Sequence, residues 1–154
     1  MSGTIWGVRE LDIRYKTLRL PMPFSGNVGN PCEAARLAAA VLADVTVEKV
    51  IALHVTTKQK LIGVHVVSVG TLDASLVHPR EVFKAAFLAN AAGLILAHNH
   101  PSGDPTPSPD DRALVSRLLH AGELLGVELL DALIVTDPSE DGGYYSFREA
   151  GALR

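Results

Sequence analysis

Residues 93–111 (GLILAHNHPSGDPTPSPDD) limit the architectures open to this chain more than any other segment. They begin with a short aliphatic run, which predicts a buried strand over residues 93–98. This strand ends in two histidines separated by one residue, and a stiff loop rich in proline follows. Ser108, Pro109 and two aspartates then have the pattern of a helix N-terminus. A buried strand that leads through a tight loop into a helix predicts an α/β architecture.

The rest of the chain alternates between helical and strand patterns. Rough apolar alternation predicts an edge strand over residues 9–20, and residues 21–31 are predicted to be a loop. Helices are expected at 31–44, at 79–92 and from the Ser108 cap to about Leu125, before Gly126; strands are expected at 49–56, 61–69, 93–98, 127–136 and 144–147, with a turn at 137–143. After the edge strand, the order α-β-β-α-β-α-β-β indicates one α/β or α+β sandwich.

Composition and charge exclude several classes of protein. The chain has 154 residues, of which 47% are hydrophobic and 20% charged, so it can form one sizeable core and does not have the composition of a disordered chain. Its net charge of −3 argues against a protein whose main role is to coat DNA. One cysteine excludes an intrachain disulfide, and the weakly polar run 85–97 is too short to span a bilayer. We expect a cytoplasmic protein without a membrane partner.

The two histidines form a candidate metal site. His98 and His100 have the i, i+2 spacing that places side chains on one face of a strand, and imidazole is the commonest metal ligand. The loop 101–107 can reverse the chain so that Asp111 supplies a third ligand, which suits tetrahedral zinc with one open position. The alternative is that Ser108 and Asp111 form only a helix capping box.

The complete pattern resembles a known motif. His98, His100, Ser108 and Asp111 have the arrangement His-x-His-x7-Ser-x-x-Asp, which is similar to the JAMM motif of the JAB/MPN metalloprotease superfamily. The stretches VHPREVFKAA, AAGLILAHNHPSGDPTPSPDD and YYSF resemble the C-terminal domain of the bacterial RadC family. This resemblance covers roughly residues 45–151.

The resemblance implies a fold and a division of the chain. It implies a JAB1/MPN-like, cytidine-deaminase-like α/β (α+β) sandwich, in which helices flank a mixed central sheet. Residues 1–30 are then an N-terminal strand and loop extension, and residues 31–154 are the RadC-like JAB/MPN domain.

The resemblance also implies a reaction, the zinc-dependent hydrolysis of a peptide or isopeptide bond. One Zn²⁺ per chain would be bound by His98, His100 and Asp111. Glu48, directly before the strand VIALHV, would take a proton from the zinc-bound water and return it to the leaving nitrogen. The Ser108 hydroxyl would donate a hydrogen bond to the carbonyl oxygen as charge develops there.

Other readings of the site stay open. Glu81 is the rival of Glu48 as general base, although a helix N-terminal acid stabilised by the dipole also explains it. His54 and His65 lie inside apolar strands and are expected to face solvent or to bond a backbone group. A metal-free protein- or DNA-interaction module linked to DNA repair, and a metal-dependent nuclease, are the alternative functions, and the metal count per chain distinguishes them.

The implied partners are a peptide or protein substrate and, indirectly through the family, DNA.

The chain departs from the RadC pattern in two places. Relatives of the RadC type carry a helix-hairpin-helix region that has no counterpart in the first 45 residues, and they usually have Asp-His where this chain has Asp131-Ala132. An exposed strand edge at residues 9–20 also offers a surface for pairing with a second copy of the chain.

Overall fold

The computed structural model of the chain describes residues 7–43, 45–70, 77–136 and 143–153. Within these ranges, the order of helices and strands is the predicted one, α-β-β-α-β-α-β-β. The elements are α1 (Pro31–Val41), β1 (Lys49–Val55), β2 (Leu61–Val69), α2 (Pro79–Leu88), β3 (Gly93–Asn99), α3 (Pro109–Leu125), β4 (Glu128–Val135) and β5 (Tyr144–Ser146). The predicted mixed α/β fold is therefore confirmed.

The helix ends follow from their capping residues. Ser108 caps α3, and Gly126 ends it with φ 72°, a left-handed conformation that glycine adopts at little cost. Helix α2 ends four residues before its predicted end, because Asn90 adopts φ 50° and its N–H turns back to Phe87 O at 3.0 Å. His78 caps the start of α2 by accepting a hydrogen bond from Arg80 N–H.

The five strands form one mixed sheet in the order β2-β1-β3-β4-β5. Strand β1 is antiparallel to both β2 and β3, β3 is parallel to β4, and β5 is antiparallel to β4. The parallel pair is joined through α3, as parallel strands require a crossover connection. Both β1 and β3 are central strands, which explains why their sequences are nearly continuous apolar runs.

The sheet separates two hydrophobic clusters. Helix α1 covers one face, where Leu37 packs with side chains such as Ile51 and Ile95. Helices α2 and α3 cover the other face, where Phe83 and Leu118 are fully buried. This gives a helix–sheet–helix sandwich. None of the helices among the described residues is both long and apolar enough to cross a membrane.

The predicted edge strand at residues 9–20 is wrong. The described part of this segment forms no strand, and Leu11, Ile13 and Tyr15 are exposed. It lies against β2 through the Tyr15 ring, which a Cβ at Gly63 would approach to 3.1 Å. Apolar alternation defines a strand only where a neighbouring backbone supplies hydrogen bonds, and residues 9–20 form no ladder with β2. The turn predicted at 137–143 lies outside the described residues except for Gly143.

Candidate metal centre

Three elements meet at one end of the sheet. Because β1 and β3 are antiparallel, Val50 near the start of β1 lies opposite His98 near the end of β3. The residues just before β1 therefore adjoin the residues just after β3. The loop after β3 leads into α3, whose first turn brings Asp111 back to His98. The approach of Asp111 to His98 was predicted from the sequence, whereas the meeting of β1 with the end of β3 could not be read from it, because that pairing is not local.

His98, His100 and Asp111 form a compact cluster. The two Nε2 atoms are 3.0 Å apart, His98 Nε2 lies 3.1 Å from Asp111 Oδ1, and His100 Nε2 lies 3.4 Å from Asp111 Oδ2. The side chains of His98 and Asp111 are 5% and 1% exposed, so bulk water does not separate these atoms. The cluster is the one group of three or more candidate ligands found among the described residues, and it could bind a metal ion.

The loop between β3 and α3 orients His100. Its Nδ1 lies 2.8 Å from the backbone oxygen of Asp104. A carbonyl oxygen only accepts, so Nδ1 carries the proton, and in the neutral ring the lone pair is on Nε2. Asp104 itself is fixed by the predicted Asx turn, in which its Oδ1 accepts a hydrogen bond from Thr106 N–H at 2.9 Å. Metal-binding histidines are commonly held by a backbone oxygen in this way.

Asp111 takes part both in the N-terminal cap of α3 and in the histidine cluster. Its Oδ2 accepts a hydrogen bond from Ser108 N–H at 2.7 Å, and Ser108 Oγ accepts one from Asp111 N–H at 3.1 Å. The capping box that the sequence left as an alternative is therefore present. The other oxygen, Oδ1, is buried and has no hydrogen-bond partner among the described residues, although His98 Nε2 lies close to it. Capping thus uses Oδ2 and leaves the other oxygen of the carboxylate, Oδ1, free of capping bonds.

The contacts within the cluster shift the pKa values of Asp111 and His100. Burial alone would raise the pKa of Asp111, but its contacts with His100 and His98 outweigh burial and hold the pKa below its ordinary value. The contact with Asp111 raises the pKa of His100, and the Asp104 oxygen and the charge of Glu48 act in the same direction. The carboxylate is therefore ionised, as a metal ligand must be.

The donor set fits a tetrahedral zinc ion. Zinc–nitrogen and zinc–oxygen bonds of about 2.0–2.1 Å place tetrahedral ligand atoms about 3.3 Å apart. The Nε2–Nε2 distance of 3.0 Å and the 3.1 Å distance between His98 Nε2 and Asp111 Oδ1 lie close to that value. A cation between the two facing Nε2 atoms would also satisfy the orphaned Oδ1 of Asp111. A two-His, one-carboxylate set leaves a fourth position for water or substrate.

The structure separates the two candidate bases. Glu48 is partly buried and lies near enough to His100 for its charge to raise the pKa of that histidine. Glu81 instead lies on α2, where it contacts Lys84 and Arg80, and those contacts lower its pKa.

The Ser108 hydroxyl has a proton to donate. Its oxygen accepts a hydrogen bond from Asp111 N–H, which leaves the hydroxyl proton for another acceptor.

The expectation that His54 faces solvent is wrong, whereas His65 is only partly buried. His54 is buried and stacks on His65 with ring centroids 6.2 Å apart. Within the described part of the chain, His54 Nε2 and His65 Nδ1 are buried and have no hydrogen-bond partner. Burial and then the nearby His65 lower the pKa of His54 to about 4. The strand pattern showed that these residues lie in apolar strands but not that they face each other.

Sequence reasoning missed Asn99, which lies between the two histidines. Its side chain bonds the backbone just before β1, with Oδ1 2.8 Å from Lys49 N and Nδ2 3.0 Å from Val47 O. A polar residue in the middle of a buried strand end was the only signal in the sequence.

Asp131 and Ala132, where the sequence departs from the RadC pattern, lie away from the histidine cluster. Asp131 is buried and accepts hydrogen bonds from Ser146 Oγ at 2.6 Å and Arg148 N–H at 3.0 Å. Burial raises its pKa. These bonds tie the end of β5 to β4. Ala132 is buried in the hydrophobic cluster under α2 and α3.

Comparison with known proteins gives a consistent result. Residues 28–152 match the model of the RadC-like JAB domain. A UPF0758 protein of Symbiobacterium thermophilum is 49% identical over 124 residues, which are 80% of this chain and 51% of that protein. A UPF0758 protein of Thermotoga maritima is 55% identical over 105 residues, 68% of this chain and 45% of its own length. The chain thus spans about half the length of these relatives.

Proposed function

This chain belongs to the RadC-like JAB domain family, and on that basis we propose that it is a zinc-dependent hydrolase that cleaves a peptide or isopeptide bond. The observation that carries the proposal is the buried cluster of His98, His100 and Asp111, which has the spacing and charge of a zinc site. The JAB fold is compatible with metal-dependent hydrolysis.

In this proposal, the bound zinc would polarise the carbonyl of the substrate and lower the pKa of a water molecule. His98 and His100 would bind the ion through Nε2, and Asp111 through Oδ1. The Asp104 oxygen would keep His100 in the tautomer whose Nε2 lone pair is available. The Ser108 hydroxyl would donate its proton to the carbonyl oxygen as negative charge develops there.

Glu48 would move the proton. Its carboxylate would accept the proton of the attacking water and then donate it to the leaving nitrogen, so that the peptide C–N bond breaks and an amine and a carboxylate leave. The charge of Glu48 is among the causes that raise the pKa of His100, so this carboxylate lies near the proposed ligands, which supports the role. The ion pair of Glu81 with Lys84 makes Glu81 the weaker candidate, since its charge is already compensated.

The test uses the zinc-loaded chain, a mixture of quenched fluorescent peptides and lysine-linked isopeptides, and mass spectrometry to identify the cleaved bond. We expect Glu48→Gln to lower kcat by about 10²–10⁴-fold, the usual contribution of a general acid–base group, while zinc content is unchanged. Glu81→Gln is the matched control and should retain wild-type activity.

Four outcomes would contradict the proposal in whole or in part. If the wild-type chain holds zinc but cleaves none of these substrates, the peptidase assignment fails. If Glu81→Gln is the inactive variant, hydrolysis stands but the general base is Glu81. A chain that binds no zinc supports the interaction-module alternative, and two bound Mg²⁺ or Mn²⁺ ions support a nuclease.

A further inference from the structure

The Asn99 side chain links the end of β3 to the segment just before β1. It is buried, with 7% of its surface exposed. Its Oδ1 accepts a hydrogen bond from Lys49 N–H at 2.8 Å, and its Nδ2 donates one to Val47 O at 3.0 Å. Both bonds join residues that are about fifty positions apart in the chain. One amide group therefore satisfies two backbone groups of a single short segment.

These two bonds flank Glu48. The Glu48 backbone is held as well, because its carbonyl oxygen accepts a hydrogen bond from Gly70 N–H at 2.8 Å. The segment 47–49 is thus fixed at three successive backbone groups before it enters the ladder in which Val50 lies opposite His98. With its backbone fixed on both sides, the direction of the Glu48 Cα–Cβ bond is fixed, and its side chain is limited to the staggered rotamers that start from that bond.

We propose that Asn99 is a positioning residue for Glu48, whose carboxylate it holds beside His98, His100 and Asp111 by bridging the backbone at Val47 and Lys49. The inference rests on the proposed role of Glu48 as general base. Asn99 lies between the two histidines in the chain, so displacement of β3 moves the ligands and the bridge to Glu48 together. The ligands and the base then keep one relative geometry, which catalysis requires to a fraction of an ångström.

The first test measures the position of Glu48 without any reaction. The full chain is labelled with ¹³C at its glutamate carboxyl carbons and loaded with Co²⁺, a paramagnetic ion that shifts the resonances of nearby nuclei. We expect Asn99→Leu, which keeps the size of the side chain and removes both hydrogen bonds, to reduce the Co²⁺-induced shift of Glu48. The shifted ring resonances of His98 and His100 should stay at their wild-type positions.

Asn27→Leu is the matched control. Asn27 also bridges two backbone groups, Gly29 N–H and Lys58 O, but it lies beside the hairpin turn at the far end of β1 and β2. We expect its substitution to leave the Glu48 shift unchanged. If Asn99→Leu does not fold, Asn99→Ala removes the same bonds without adding volume and gives the same comparison.

The second test is a double-mutant cycle on peptide hydrolysis. Asn99→Leu should lower kcat by about 10–100-fold, the range seen for outer partners of a metal site, with little change in KM. In the Glu48→Gln background the same substitution should cost nothing further, because Asn99 acts through Glu48. A purely structural role would give the same loss in both backgrounds.

The outcomes separate this inference from the proposed function. If Co²⁺ binds and the Glu48 shift is the same in Asn99→Leu, the positioning role is wrong while the metal site stands. If the histidine resonances move as much as Glu48, Asn99 supports the whole site and not Glu48 in particular, which also overturns the inference. If the wild-type chain binds no Co²⁺, the proposed function and this inference fail together.

Discussion

Two pairs of histidines lie in this sheet or directly at the end of one of its strands, and their surroundings differ in nearly every respect. His98 and His100 share Asp111, and the Asp104 oxygen fixes one of their rings. His54 and His65 also lie ring to ring, but their inner nitrogens have no hydrogen-bond partner among the described residues. The nearest charges on α2 are Lys84 and Glu81, which neutralise each other.

The electrostatics of the two pairs are opposite. Near Asp111 the pKa of His100 is raised, whereas burial lowers the pKa of His54 to about 4. A histidine pair therefore becomes a candidate metal site through its partners: a carboxylate that supplies negative charge, and a backbone oxygen that selects the tautomer. Without them, two imidazoles in an apolar sheet remain neutral side chains that fill space.

The largest expected effect comes from removing the carboxylate charge from the first pair. Asp111→Asn should lower zinc affinity more than about 100-fold, because the loss of even an outer partner of a metal ligand costs about 10–100-fold. The exposed neighbour Asp110, in the same first turn, provides the control. Asp110→Asn should keep wild-type affinity in a competition titration with a zinc chelator. Equal affinities for both variants would remove Asp111 from the ligand set.

The second pair, His54 and His65, should affect how the free energy of unfolding depends on pH. The pKa of His54 is lowered from 6.5 in the unfolded chain to about 4 in the folded one, so the fold favours the neutral ring. The resulting contribution to the free energy of unfolding is fully present above pH 6.5 and is lost as the pH falls toward about 4. For the metal-free chain we expect the wild type to lose on the order of 2–3 kcal/mol from this source over that range. His54→Leu should lack this part of the loss. Urea unfolding at a series of pH values measures it, and parallel curves for the two proteins would contradict it.

The smallest expected effect concerns the helix cap beside the first pair. Ser108→Ala should lower the free energy of unfolding by about 1 kcal/mol, because Asp111 N–H loses its acceptor. Zinc content should not change. Ser102→Ala, in the exposed loop, should stay within about 0.5 kcal/mol of wild type. A loss of zinc in Ser108→Ala would mean that the cap also fixes the ligand geometry of Asp111.

Much of the fold and of the candidate metal site could be predicted from residues that are close together in the sequence. The strand that leads to His98 and His100, the cap at Ser108 and the end of α3 at Gly126 all depend on residues close together in the chain, and the structure has each of them. The edge strand at 9–20 failed because its pattern carried no information about a partner strand. The Asn99 bridge depends on the pairing of β1 with β3, which no local pattern specifies, and the His54–His65 contact depends on the register within the β1–β2 hairpin.

The most direct test of the account is the zinc content of three purified proteins, measured by elemental analysis after zinc is supplied and excess removed. We expect one zinc per chain in the wild type and in His54→Gln/His65→Gln, and none in His98→Gln/His100→Gln. Each variant loses two histidines, so a difference in zinc content between the two variants reflects the surroundings of each pair and not the number of histidines. Zinc retained by His98→Gln/His100→Gln, or absent from the wild type, would contradict the assignment of this cluster as the metal centre.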